Sequence, residues 1–171
     1  FNQSLHQGAV PEDWKSAYIT PIFKKGNRQM AENYRPVSLT CICSKVLEHI
    51  ICRHILDHLE RHNILTDVQH GFRSGHSCES QLLTTLQDFL HSWDANNQVD
   101  VVVLDFAKAF DTVPHDKLLG KLQHYGVSSS IHAWIGHFLK GRTQQVVVDG
   151  TKSRSVSVES GVPQGTVLEP L

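Results

Sequence analysis

Asp105 stands at the carboxyl end of Val99–Leu104, a nearly continuous β-branched run. Such a run predicts a central strand covered on both faces. A carboxylate at the end of a buried strand is a common holder of Mg²⁺, because rigid backbone fixes its oxygens while the open edge admits a phosphate. For one isolated aspartate, capping the turn that leaves the strand is the commoner role. Lys24, Lys25 and Arg35 add flexible and forked cations suited to triphosphate oxygens, although a lone Lys-Lys pair is usually solvated surface. Gln164 lies between Pro163 and Gly165, in a stiff, helix-poor loop able to hold its amide against a ligand or simply to link two elements. The chain has twelve histidines, of which His54, His58 and His62 share a helical arc with Leu47, Ile51 and Ile55. Histidines at i, i+4 can share a zinc ion. No acid or cysteine completes a set on that face, so packing or lining a groove is the expected role.

The elements that must position these groups are legible from periodicity. Residues 1–41 read as an irregular arm punctuated by Pro11, Pro21 and Pro36, with a short strand at Ala17–Thr20. Leu47, Ile50, Ile51, Ile55 and Leu59 predict an amphipathic helix over 44–62. Leu82, Leu86, Phe89, Leu90 and Trp93 predict another over 77–93, with Ser77 as its N-cap. Pro114 opens a short helix that stops at Gly126, and Ser128 or Ser129 caps the next, whose stripe is Ile131, Trp134, Ile135, Phe138 and Leu139. Gln144–Val148 and Ser155–Val158 read as strands joined through Asp149-Gly150, a tight-hairpin signal.

With 171 residues, 40% hydrophobic and 19% charged, the composition suits one globular domain and excludes disorder, collagen and coiled coil. Sixteen Lys+Arg against seventeen Asp+Glu leave a net charge of -1, so no global basic field marks a nucleic-acid binder. The positive charge is local: up to Lys45 six cations face three carboxylates, a balance of +3, and the remainder carries -4. No apolar run approaches the roughly 20 residues of a membrane-spanning helix. The first residues have neither the basic start nor the apolar centre of a signal peptide. Cys41, Cys43, Cys52 and Cys78 lack the paired spacing of a zinc knuckle or a disulfide scaffold, so free thiols in a reducing compartment are expected. Phe1 at the start and the VLEPL ending suggest a piece of a longer protein.

The segment from Val102 to His115, Val-Val-Leu-Asp-Phe-Ala-Lys-Ala-Phe-Asp-Thr-Val-Pro-His, resembles motif A of reverse transcriptases in the form used by non-LTR, jockey-type retrotransposons. Trp14-Lys15, Pro21–Gly26 and Asn33–Leu39 resemble the fingers motifs that approach an incoming triphosphate. Gln69–Arg73 with Gly75–Ser77 resembles the family's Gly-Phe-Arg segment, and Gly161–Thr166 resembles motif B. The motifs fall in the family's order and span nearly the whole chain.

The resemblance implies an α+β fold: a partial right-hand polymerase with fingers and the first part of the palm. In that scheme 1–171 is one incomplete domain, with 1–98 mainly fingers, 99–118 the palm's motif A, 119–160 helices and hairpin between motifs, and 161–171 motif B and the start of the next helix. It implies an RNA-directed DNA polymerase acting on an RNA template, a DNA primer and dNTPs, in the nucleus or cytoplasm, with no membrane role. Asp105 would be one carboxylate of a two-Mg²⁺ site, with Mn²⁺ a possible substitute and the Phe106 backbone carbonyl a further ligand. Phe110 would lie under the sugar and reject a ribose 2′-hydroxyl. Arg35 foremost, then Lys24, Lys25 and Gln164, would meet the nucleotide, and Arg73 and Gly165 the nucleic acid. Asp111 would begin the turn before Val113-Pro114 rather than ligate metal.

Two departures stand out. The family's aromatic-x-Asp-Asp turn does not occur in these residues, which predicts no polymerase activity from the 171-residue chain alone. Glu169 stands where the family usually has glycine. Two other readings compete. A haloacid-dehalogenase-type phosphotransferase would need an acid two residues after Asp105, where Ala107 stands. A catalytically dead retroelement remnant would bind nucleic acid or a partner through the basic arm.

Overall fold

The computed structural model describes residues 1–170 and resolves into two compact units, one formed by 1–58 with 108–171 and one by 59–107. The chain is α+β, with five α-helices, two short 3-10 turns and a five-stranded sheet among the described residues.

In the first unit, α1 (Asn2–Gln7) leads to β1 (Ser16–Phe23) and β2 (Tyr34–Leu39), which form an antiparallel pair from Tyr18↔Leu39 to Phe23↔Tyr34. Helix α2 begins at Ile42 and ends at Arg61. After α4 (His115–His124) and α5 (Ser129–Leu139) come β3 (Arg142–Val148), β4 (Thr151–Lys152) and β5 (Val156–Val158). Strand order is β2-β1-β3-β4, and β5 also pairs with β3. The β1–β3 pairing is parallel, Ser16↔Thr143 to Ile19↔Val146, and the rest of the sheet is antiparallel. The β3–β4 turn has positive φ at both Asp149 (48°) and Gly150 (77°), the geometry that matches strand twist in a two-residue hairpin.

The core follows the stripes predicted over 44–62, apart from exposed Ile50, and over the helix that ends at Leu139, whereas the stripe predicted over 77–93 is exposed at Leu82, Leu86, Phe89, Leu90 and Trp93. Leu47, Ile51 and Ile55 of α2 are buried, as are Trp134, Ile135, Phe138 and Leu139 of α5, with Leu122, Ala17 and Ile19. Each such aliphatic or aromatic side chain stabilises the fold by roughly 1.5–3 kcal/mol. Helix α1 closes against α5, where Gly8 at φ +60° leaves no room for a Cβ beside Ala133 and Trp134 Nε1 donates to Ser4 Oγ at 2.9 Å.

The arm is more regular than its prolines suggest. β2 carries Pro36 and little alternation, yet it is a strand because β1 offers it a complete partner edge.

The second unit holds α3 (Cys78–Asp94). Ser77 Oγ accepts from the Ser80 backbone N–H at 3.1 Å, and Ser80 Oγ accepts from that of Ser77 at 3.0 Å, a reciprocal capping box. The Glu79 carboxyl is held below its ordinary range by its own backbone N–H and by Ser77. None of α3 is buried. The expected central strand at 99–104 is not formed: these residues carry no regular secondary structure and have no ladder partners among the described residues, and Val102, Val103 and Leu104 are at least 80% exposed. β-branched composition favours a strand only where neighbouring edges exist to pair with it.

Among the described residues no helix is long and apolar enough to cross a membrane, and the four cysteines are unpaired.

Candidate active site

The sequence-predicted groups fall in both units. Asp105 and Phe106 belong to the second and are exposed; Lys24, Lys25, Arg35, Phe110, Gln164 and Gly165 belong to the first.

The three cations share the β1–β2 hairpin. Arg35 pairs across the ladder with Ile22 on the exposed face, and strand alternation puts the following Lys24 on that face too. The Lys24 N–H donates to Asn33 O at 2.9 Å, which extends the ladder into the connection and holds Lys24 beside Tyr34-Arg35. The opposite side is braced by the edge-to-face Phe23–Tyr34 pair and by Arg28 over the Phe23 ring at 4.8 Å.

Motif B is fastened to the end of motif A by two main-chain bonds, Gly161 N–H to Val113 O and Val162 N–H to Phe110 O, both 2.9 Å. Ser160 Oγ adds a 3.3 Å bond to the Asp111 carbonyl. A Cβ on Gly161, whose φ is +79°, would lie 2.6 Å from that carbonyl, so only glycine permits the approach. Next, the Ser38 N–H of β2 donates to Gln164 O at 2.8 Å, and Gln164 Nε2 donates to Asp111 Oδ1 at 2.9 Å. Strand β2, the turn around Asp111 and the loop 160–165 therefore meet at Gln164. They line a cleft of about 300 Å³ with Ile19, Arg142, Gln144 and Ser160.

Asp111 sits in a turn, its N–H bonded to Lys108 O at 3.0 Å, and its carboxylate also reaches across to Gln164. Spacing could not reveal that partner, which is 53 residues away. Two buried charges were also missed. Glu48 is fully buried, and Arg142 is 2% exposed with its guanidinium stacked on Phe138 at 4.5 Å and bonded to Phe138 O at 3.0 Å. Burial pushes Arg142 down to about 10, opposed by the Glu48 carboxylate. Neither Glu48 on α2 nor Arg142 at the start of β3 carries a sequence signal of burial, because what covers them comes from other elements.

Arg73 is engaged within its own unit. It donates to Thr66 O at 2.7 Å and pairs with Glu60 at 3.7 Å and Asp67 at 3.8 Å. His58 Nε2 bonds the Tyr125 carbonyl at 2.7 Å. Residues 161–170 form turns rather than the start of a helix. Gly165 at φ +89° and Pro170 restrict helical backbone there, and Glu169 accepts a hydrogen bond from the Gly165 N–H.

For metal binding, Asp105 is one carboxylate, and among the described residues no group of three or more His, Cys, Asp or Glu is disposed to hold an ion. The donors present do not by themselves fit a two-ion site.

Residues 22–171 match the family model described as reverse transcriptase (RNA-dependent DNA polymerase), and the chain belongs to that family. It is 35% identical over its whole length to the probable RNA-directed DNA polymerase from transposon BS of Drosophila melanogaster, covering 19% of that protein. It is 34% identical over 99% of its length to the RNA-directed DNA polymerase from mobile element jockey of the same fly, again covering 19%. A Pol polyprotein from the type-1 retrotransposable element R2 of Popillia japonica is 29% identical over 97% of the chain, which covers 23% of it. Its relatives are thus polymerases of non-LTR retrotransposons, and the chain spans about one fifth of their length.

Proposed function

We propose that this chain is the fingers and first palm segment of an RNA-directed DNA polymerase that extends a DNA primer on an RNA template with dNTPs. The boundaries proposed are 1–98 for mainly fingers, 99–118 for the palm's motif A, 119–160 for the intervening helices and hairpin, and 161–171 for motif B. The observation that carries this reading is the junction at Gln164, where β2, the turn after motif A and the motif B loop are hydrogen-bonded together. Three segments remote in sequence converge on one cleft lined by apolar side chains and by polar groups such as Asp111, Gln144 and Gln164, the general form of a ligand site.

In this reading Arg35, Lys24 and Lys25 bind triphosphate oxygens, Phe110 lies against the sugar, and Gln164 presents its amide to the nucleotide. Arg73 and Gly165 lie along the nucleic acid; Arg73 would act there mainly by bracing its loop. Asp105 and the Phe106 carbonyl contribute to binding Mg²⁺, or Mn²⁺ in its place. When bound, the ions would supply charge neutralisation at the reacting phosphate. One carboxylate is too few anionic ligands for two such ions, so the 171-residue chain is inactive alone.

The test is primer extension on an RNA template by the longer reading frame that carries this chain, by the 171-residue chain, and by Asp105→Ala in the longer protein. Incorporation by the longer protein, lowered at least 100-fold by the substitution, is expected, because metal ligation of this kind contributes several kcal/mol. Template-directed incorporation by the 171-residue chain would refute its inactivity. The exposed basic hairpin favours one other reading, a remnant that binds nucleic acid without copying it. Salt-sensitive RNA or DNA binding with no incorporation by the longer protein would select that reading.

A further inference from the structure

We propose that Asp111 is a positioning residue that sets the orientation of the Gln164 amide, an inference that rests on the nucleotide-site reading above. Gln164 Nε2 donates to Asp111 Oδ1 at 2.9 Å. An ionised carboxylate only accepts hydrogen bonds, so the amide must turn its NH₂ end toward Asp111. That choice is otherwise open for glutamine, whose two ends have nearly the same shape. With NH₂ committed to Asp111, the carbonyl oxygen and the remaining N–H are the groups Gln164 can offer a nucleotide. Both residues line the same cleft.

The backbone makes the pairing rigid. Gln164 is held at its carbonyl by the Ser38 N–H, at 2.8 Å. Asp111 is held between the Phe110–Val162 and Val113–Gly161 bonds and by Ser160 on its own carbonyl. Phe110, the proposed sugar contact, directly precedes Asp111. One short hydrogen-bonded unit therefore fixes the aromatic and the amide together.

Single-nucleotide incorporation kinetics on the longer protein test this, using Asp111→Ala, Gln164→Ala, the double variant and Asp111→Asn. Asp111→Ala is expected to raise the KM for dNTP about tenfold with kcat within about threefold, the size of one hydrogen bond to a charged group. The double variant should be no worse than Gln164→Ala, and Asp111→Asn, whose amide both donates and accepts and so leaves the glutamine orientation open, should recover only part of the loss. Multiplicative single effects, an unchanged KM, or a fall in kcat with a raised Mg²⁺ requirement would overturn the proposal, the last by making Asp111 a metal ligand. A urea-unfolding double-mutant cycle on the 171-residue chain reads the contact without activity, and additive effects there also overturn it. No incorporation by the wild-type longer protein overturns the polymerase reading, and the positioning role with it, even where that cycle shows coupling.

Discussion

The carboxylate of Glu48, fully buried on α2, accepts a 2.9 Å hydrogen bond from the backbone N–H of Val167, 119 residues further along the chain. Its other oxygen accepts from Ser44 Oγ at 2.8 Å, and its charge favours the protonated form of buried Arg142. One side chain thus links the long helix to the tail of motif B. Leaving a buried donor without its acceptor costs about 1–3 kcal/mol for each group. Glu48→Ala, which strips the Val167 N–H and the Ser44 hydroxyl of their acceptor, is therefore expected to lower unfolding free energy in urea by about 2–6 kcal/mol, and Glu48→Gln, which keeps an acceptor oxygen, to recover part of it. Equal losses in the two variants would contradict the role of these hydrogen bonds.

Gly161 is a second point where the motif B loop tolerates no change. An added Cβ meets the Asp111 carbonyl at 2.6 Å and the φ of +79° is left-handed, so Gly161→Ala is expected to cost about 2 kcal/mol or more. Gly150 has a similar φ of +77° but open space around it, which makes Gly150→Ala the control for conformational cost alone. Urea denaturation of the two variants separates clash from strain, and equal losses would sink the close-approach argument.

The Ser77–Ser80 capping box holds the start of a helix with no buried residue. With little packing to compensate, Ser77→Ala is expected to cost about 1 kcal/mol of local helix stability. Amide exchange should speed up in the first turn of α3 while α5 is unaffected. Uniform acceleration in both helices would contradict local control.

Cys52 is predicted to be the slowest thiol. Burial first, and the Glu48 carboxylate second, raise its pKa above 9.0. The folded chain therefore keeps this proton where the unfolded chain has lost it, so the contribution of Cys52 to stability declines as pH rises past 9.0. Iodoacetamide labelling followed by mass spectrometry at mildly alkaline pH should modify exposed Cys43 and Cys78 before Cys52. Labelling of Cys52 as fast as the exposed pair would refute this.

What could be read from the sequence was local. The stripe Trp134, Ile135, Phe138 and Leu139 is buried as its spacing demands, Ser77 caps α3, and Asp149-Gly150 turns β3 into β4. These signals depend only on residues within a turn or two of each other. Strand β2 was not legible, because Tyr34–Leu39 has the character of a strand only beside β1. The opposite error occurred at Val99–Leu104, whose composition speaks for a strand while no edge among the described residues receives it. The site divides the same way. Motif order singles out Arg35, Phe110 and Gln164 as candidates, whereas the Asp111–Gln164 and Glu48–Val167 bonds join positions with no shared periodicity.

The parallel pairing of β1 with β3 has a consequence for synthesis. Ile19 leaves the ribosome 127 residues ahead of Val146, the residue it pairs with. At the usual elongation rates of about 5–20 residues per second, that edge of β1 waits roughly 6–25 seconds for its neighbour. Until then the β1–β2 hairpin is a two-stranded ribbon with an open flank, marginal by itself and able to pair with other nascent chains. Chaperone dependence during translation should accordingly be concentrated in the interval before β3 emerges.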